Sequence, residues 1–185
     1  MIAAQKRFPT AEAAARACGD CILELLQEAL AATETASLAV SGGSTPKLMF
    51  SYLARAKFDW SAVHLFWVDE RAVPPSDAQS NYRLADESFI TPAHFPRRNV
   101  HRIQAEIDPH RAARLYESEI REFFGTEPGD LPHFDVIHLG MGAEGHTASL
   151  FPGEPLIENR DHLVAAVQVP AAPLWRITLL PGVLL

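Results

Sequence analysis

The sequence is short of cysteine, of long apolar runs and of basic charge, and each shortage removes a class of protein. Its 185 residues include only two cysteines, Cys18 and Cys21, so no disulfide framework holds the chain together. Their C-x-x-C spacing is that of a redox pair, but both fall in an alanine-rich helical pattern with no strand ahead of them. They read as two reduced thiols on a helix. No apolar stretch approaches the roughly 20 residues of a membrane-spanning helix. The opening residues MIAAQKRFPTAEAAARACGD lack the apolar core and cleavage pattern of a secretory leader. A cytoplasmic protein without membrane attachment is expected.

Lys and Arg number 16 against 23 Asp and Glu, a formal net charge of −7, which argues against nucleic acid as a partner. A small phosphorylated ligand remains compatible, because its site needs only local donors and one or two cations. The eight histidines show no metal-ligand spacing, so no metal is expected. The P-loop spacing G-x-x-x-x-G-K-[ST] is missing, and GMGAEG matches the dinucleotide string G-x-G-x-x-G only weakly; no cofactor is expected. There is no internal repeat and no interdomain linker. Residues 1–185 read as one domain, large enough to bury roughly 70% of its unfolded surface.

What is present alternates between strand and helix patterns. Ala11–Ala32 carries Ala, Leu and Ile at helical spacing, with Thr10 or Asp20 able to begin the helix. The run Ser37–Val40 (SLAV) is a buried strand leading into SGGSTP and a helix through Lys47–Arg55, with Pro46 in its first turn. Val63–Val68 is a second strand, closing on Asp69-Glu70-Arg71. A helix over Ser80–Ile90, a strand over Asn99–Ile103, and a helix over Pro109–Phe124 capped by Asp108 and stopped by Gly125 follow. Leu131–Leu139, Leu163–Val169 and Ile177–Leu180 supply further strands. The order implies an α/β fold: three layers, with a mainly parallel Rossmann-like sheet and helices on both faces.

In such a sheet, ligands bind beyond the carboxyl ends of the strands, and SGGSTP, Asp69-Glu70-Arg71 and Gly140–Gly153 (GMGAEGHTASLFPG) all fall there. Gly42, Gly43, Ser44 and Thr45 form either a phosphate cradle at a helix start or an ordinary tight turn. Arg71 is either a solvated loop charge or a donor fork for a substrate oxygen, with Asp69 orienting a histidine or the substrate. His146 stands where a short helix is expected to begin, whose positive end favours a neutral imidazole able to accept a proton. The alternative is a histidine that merely caps the loop. Glu144 reads as either a solvated loop charge or an orienting group, the solvated charge being slightly favoured, and Ser149 reads as a helix residue outside any G-x-S-x-G elbow.

The segments LAVSGGSTPKLMF, FWVDERAVPPSDAQSNYRLA, FDVIHLGMGAEGHTASLFPG and WRITL together resemble the 6-phosphogluconolactonases of the pentose phosphate pathway, in the larger group that includes the glucosamine-6-phosphate deaminases. The likeness covers nearly the whole chain, with four motifs in order. It implies a cofactor-free hydrolase whose partner is a sugar-phosphate lactone, with the phosphate against Gly42, Gly43, Ser44 and Thr45, charge from Arg176, and catalysis by His146, Arg71 and Asp69. Asn81 and Tyr82 match a family motif near the site. Deaminases resemble Asp-Glu-Tyr at 69–71 and carry a carboxylate where this chain has Phe151, which favours the lactonase. A non-catalytic sugar-phosphate-binding protein is the main alternative, and a deaminase the lesser one. Glu144 replaces the family's usual aspartate. The resemblance also implies a helix and strand beyond Leu185, and so a sheet short of elements at its carboxyl end.

Overall fold

Thr10 sets the first helix by accepting the Ala13 amide on its hydroxyl, and α1 (Ala11–Ala32) then buries Ala15, Ile22 and Leu26 along one face. A computed structural model describes residues 5–168 and 174–185. The next element, β1 (Ala36–Val40), is buried throughout, as a central strand covered on both faces must be. It is followed by α2 (Ser44–Leu53), β2 (Val63–Trp67), β3 (Asp69–Arg71) and α3 (Asn81–Ala85). The helical path continues beyond α3 as a π turn, Asp86–Ile90. Then come β4 (Val100–His101), α4 (Pro109–Phe124), β5 (Val136–Ile137), β6 (Val164–Gln168), β7 (Trp175–Leu179) and a last turn of helix, α5 (Pro181–Leu184).

Four parallel strands form the central sheet in the order β4-β2-β1-β5. Side-chain alternation along β2 separates its two faces. Phe66 meets Phe123 and Phe124 of α4 and Phe134, with centroids 5.1, 6.2 and 5.2 Å away, whereas Trp67 meets Tyr82 of α3 at 5.6 Å. α1 and α2 pack on each other, and α2 on α3 and the π turn. The expected layering of helices on both faces is present.

The carboxyl-terminal strands depart from a single parallel sheet. β3, β7 and β6 form a separate antiparallel sheet. Two local facts cause this. Only Val68 separates β2 from β3, so the chain passes from one sheet to the other without a crossover. The connection 169–174 is far shorter than the dozen or more residues a parallel crossover needs. The strand expected through Val169 ends outside the described residues.

Two expected strands shrink to two-residue ladders. Leu131–Leu139 pairs only at Val136–Ile137, because Asp135 uses its carboxylate to accept both the amide and the hydroxyl of Ser37, each at 2.7 Å. Asn99–Ile103 pairs only at Val100–His101, since Asn99 turns its side-chain amide onto the Ser61 and Val63 carbonyls. Among the described residues no helix is long and apolar enough to cross a membrane.

Candidate active site

Where β1 ends, Ser41 ties two loops together: its hydroxyl donates to the His138 carbonyl at 3.1 Å and accepts the Gly140 amide at 3.4 Å. Gly42 is demanded by close approach, because a Cβ there would sit 1.9 Å from Asn81 Oδ1. Gly43 precedes α2 at φ 124° and offers no side-chain cap. The first N–H groups of α2, with Ser44 and Thr45, therefore have no intrahelical acceptor and stand at the positive end of the helix.

The β3 triplet divides its work. Glu70 is buried and accepts four hydrogen bonds: Arg71 N at 2.8 Å, Asn81 N and Tyr82 N at 2.7 Å, and Ser80 Oγ at 2.9 Å. Burial pushes its pKa up against the pull of these donors. Glu70 is thus the bracket that fixes the start of α3 to β3. Asp69, 6% exposed, accepts the Ser149 hydroxyl on Oδ2 at 2.7 Å and the Asn81 amide on Oδ1 at 3.2 Å. Asn81 also donates to the Asp69 carbonyl at 2.9 Å.

Arg71 and Arg176 are direct partners across the β3–β7 ladder. Arg71 spends one nitrogen on the Gln79 carbonyl at 2.6 Å, and Arg176 Nη1 lies 4.0 Å from Asp69 Oδ2. In both guanidinium groups Nε is buried with no partner among the described residues. Burial, and next the positive charge of Arg71, lower the pKa of Arg176, with Asp69 opposing. Two like charges side by side with donors unused form a site for an anion.

The histidine loop closes on itself. Thr147 donates its hydroxyl to the Gly140 carbonyl at 2.9 Å, and the Gly142 amide donates to the His146 carbonyl at 2.8 Å. Gly142 leaves room for the imidazole, since a Cβ there would lie 2.0 Å from His146 Cε1. Phe151 stacks on the ring with centroids 4.1 Å apart, and Glu144 Oε2 lies 3.2 Å from Nδ1. A proton shared at Nδ1 leaves Nε2 as the basic nitrogen.

Several expectations for this loop are corrected. No helix begins at His146: Thr147–Leu150 is a tight turn closed by the Leu150 amide on the Thr147 carbonyl, with Ala148 at φ 50°. The positive helix end expected beside His146 is therefore missing, and what orients the imidazole locally is Phe151 and Glu144. Asp69 does not reach His146; it holds Ser149, which is buried and not a helix residue. Glu144 is exposed but oriented onto the ring.

Gly42, Gly43, Ser44, Thr45, Asp69, Arg71, His146 and Arg176 all line one cleft of about 220 Å³, joined by Asn81 and Ala148. Tyr82 lies outside it, its ring against Trp67 and its hydroxyl accepting from Arg97 at 3.3 Å. Ser149 was missed by sequence reasoning. Its signal is a small polar residue set between apolar neighbours in a loop that already holds a histidine.

The family model described as glucosamine-6-phosphate isomerases/6-phosphogluconolactonase matches residues 9–185. A 6-phosphogluconolactonase of Synechocystis sp. is 39% identical over 145 residues, which cover 78% of this chain and 60% of the relative. That of Treponema pallidum is 41% identical over 151 residues, covering 80% and 61%. The solved 6-phosphogluconolactonase of Thermotoga maritima superposes with a TM-score of 0.77 at 32% identity over 90% of this chain and 72% of the other. The Trypanosoma brucei enzyme gives 0.84 at 27% identity over 96% and 76%. This chain spans about 60% of the length of the curated relatives. With its strand-end loops, cleft and matched residues in agreement, it belongs to the glucosamine-6-phosphate isomerase/6-phosphogluconolactonase family.

Proposed function

We propose that the chain hydrolyses 6-phospho-D-glucono-1,5-lactone to 6-phosphogluconate, the lactonase chemistry of its named relatives. The observation that carries the reading is the cleft itself, where a stacked histidine, two cross-strand guanidinium groups and the open first turn of α2 face one space. The phosphate sits on Gly42, Gly43, Ser44 and Thr45 with Arg176 beside it. His146 Nε2 takes a proton from water as the water attacks C1. Arg71 stabilises the oxyanion, and the proton passes to the ring oxygen as the tetrahedral intermediate collapses. Asp69 holds the second anchor of the site through Asn81 and Ser149.

No acyl-enzyme is needed, because positioning with one general base supplies roughly 10²- to 10⁴-fold, enough to outpace a lactone that already opens in water. Phe151 favours lactonase over deaminase, since a stacked phenyl ring orients the imidazole but cannot share a proton with it. The two reduced cysteines suit a cytoplasmic setting.

The test is a coupled assay with freshly made lactone, following 6-phosphogluconate release against the spontaneous rate for wild type and His146→Ala. Excess turnover that His146→Ala abolishes supports the reading. A folded wild type at the background rate ends it, leaving a binding protein if 6-phosphogluconate still binds. Ammonia release from glucosamine 6-phosphate would replace it with the deaminase.

A further inference from the structure

Asp69 Oδ2 has two suitors. The Ser149 hydroxyl donates to it at 2.7 Å, and the Arg176 guanidinium waits 4.0 Å away. At hydrogen-bond distance the guanidinium would close on the carboxylate as a charge-assisted pair and turn from the cleft. From this geometry we infer that Ser149 is a positioning residue: its hydroxyl occupies Asp69 Oδ2, prevents the Asp69–Arg176 pair from closing, and keeps Arg176 free for the anionic group of the ligand. The inference rests on the phosphate assignment made above.

The surroundings make Ser149 a built element. It is 1% exposed, and its backbone amide donates to Thr178 Oγ1 at 3.1 Å, which in turn donates to the Leu179 carbonyl. Thr178 is the cross-strand partner of Asp69 on β7, so the serine is tied to the rung two before that of the two arginines. The tight turn with Ala148 at φ 50° delivers it there. A left-handed alanine is a strained choice, and the strain is compensated where Ser149 is clamped from two sides.

Asn81 secures the other oxygen. Its amide faces two acceptors, the Asp69 carbonyl and Oδ1, which fixes the nitrogen on that side and leaves Oδ1 toward Gly42. Asn81 thus donates to Oδ1 and Ser149 to Oδ2, so each carboxylate oxygen already has a donor at hydrogen-bond distance while Arg176 stays 4.0 Å from Oδ2. Among the described residues the guanidinium has a buried Nε with no partner, and its Cζ lies 5.8 Å from the Phe151 ring centroid. Arg176 itself lines the cleft.

The experiment titrates inorganic phosphate into the full chain at fixed ionic strength, read by calorimetry, for wild type, Ser149→Ala, Ser149→Cys, Arg176→Ala and the double variant Ser149→Ala/Asp69→Asn. The alanine variant keeps the backbone bond to Thr178, and Ser149→Cys keeps the volume with a weaker donor, so one of the two reports if the other does not fold. We expect phosphate affinity to fall about tenfold in Ser149→Ala and by less in Ser149→Cys, the scale of one charge-assisted hydrogen bond. Adding Asp69→Asn removes the charge that captures Arg176 and restores affinity to within roughly threefold of wild type, coupling that simple loss of packing does not produce. Unchanged affinity in Ser149→Ala, or no recovery in the double variant, overturns the inference. Wild-type binding that ignores Arg176→Ala, or no wild-type binding, overturns the phosphate assignment and the inference with it. Binding that needs Arg176 but ignores Ser149 overturns the inference alone.

Discussion

The imidazole of His146 and the ring of Phe151 lie against each other, 4.1 Å between centroids and 25° between planes, and the Arg176 guanidinium carbon lies 5.8 Å from the same Phe151 centroid. One apolar side chain therefore orients both the proposed base and the proposed anion holder. Phe151→Ala is expected to lower kcat for lactone hydrolysis by about 10- to 100-fold, the penalty of a misplaced base. Phe151→Tyr keeps the stack and should stay within about threefold of wild type. Steady-state kinetics with a melting curve for each variant checks this, and equal rates in Phe151→Ala and wild type would refute it.

Gly142 and Gly42 make a matched pair of glycines. A methyl at 142 would press on His146 Cε1 at 2.0 Å, and one at 42 on Asn81 Oδ1 at 1.9 Å. Gly142→Ala moves the imidazole in an exposed loop, so kcat should drop by about 10²-fold, as for loss of a general base, with little change in Tm. Gly42→Ala strikes a buried residue that holds Asp69, and both Tm and kcat/KM should fall. A Gly142→Ala enzyme with wild-type kcat would show that the ring has room to retreat.

Much of this site was legible before any coordinates. α1 and α4 lie where capping and periodicity put them, because Thr10, Asp108 and Gly125 act locally and each leaves a residue-level mark. The three loops at strand ends followed from topology. What stayed hidden depends on contacts distant in sequence. Ser149 reaches Asp69 across 80 positions, and Asp135 displaces ladder pairing by capturing Ser37 across 98. The tight turn after His146 replaced an expected helix because Ala148 takes a left-handed φ, which alanine composition does not announce. The second sheet depends on one residue, Val68, between two strands.

Tyr116 offers a test of how that strand switch is held. Its hydroxyl accepts the Trp67 amide at 2.8 Å and donates to the Trp67 carbonyl at 2.9 Å, at the last residue of β2. Tyr116 is 2% exposed, so no water replaces it at once. Tyr116→Phe leaves two buried backbone groups unsatisfied, and the expected loss is about 1–3 kcal/mol in urea unfolding. Since Asp69 lies two residues beyond Trp67, activity should also fall. A stability equal to wild type would mean that the sheet relaxes to pair Trp67 elsewhere.

The acid limit of the fold should be set in part by histidines outside the proposed catalytic set. His64 Nδ1 lies 2.9 Å from His101 Nε2, and His101 Nδ1 lies 2.8 Å from Glu119 Oε1, joining β2, β4 and α4. Burial, then His101 and Arg98, lower the pKa of His64, and burial lowers that of His138, whose Nδ1 faces the Ser41 amide at 3.4 Å. The unfolded chain takes up these protons near pH 6.5, where the folded chain resists them. Their contribution is complete above about pH 6.5 and is lost as pH falls below it. Glu70 runs the other way, because its raised pKa favours the folded state when it is protonated, and that contribution disappears as pH rises. The histidines should therefore make Tm decline as pH falls from 7 toward 5, with Glu70 opposing the decline. His64→Leu removes one of the two titrations and should flatten the decline. Melting curves at half-unit steps decide it: a slope identical to wild type would mean that the His64–His101 pair opens to solvent before it titrates.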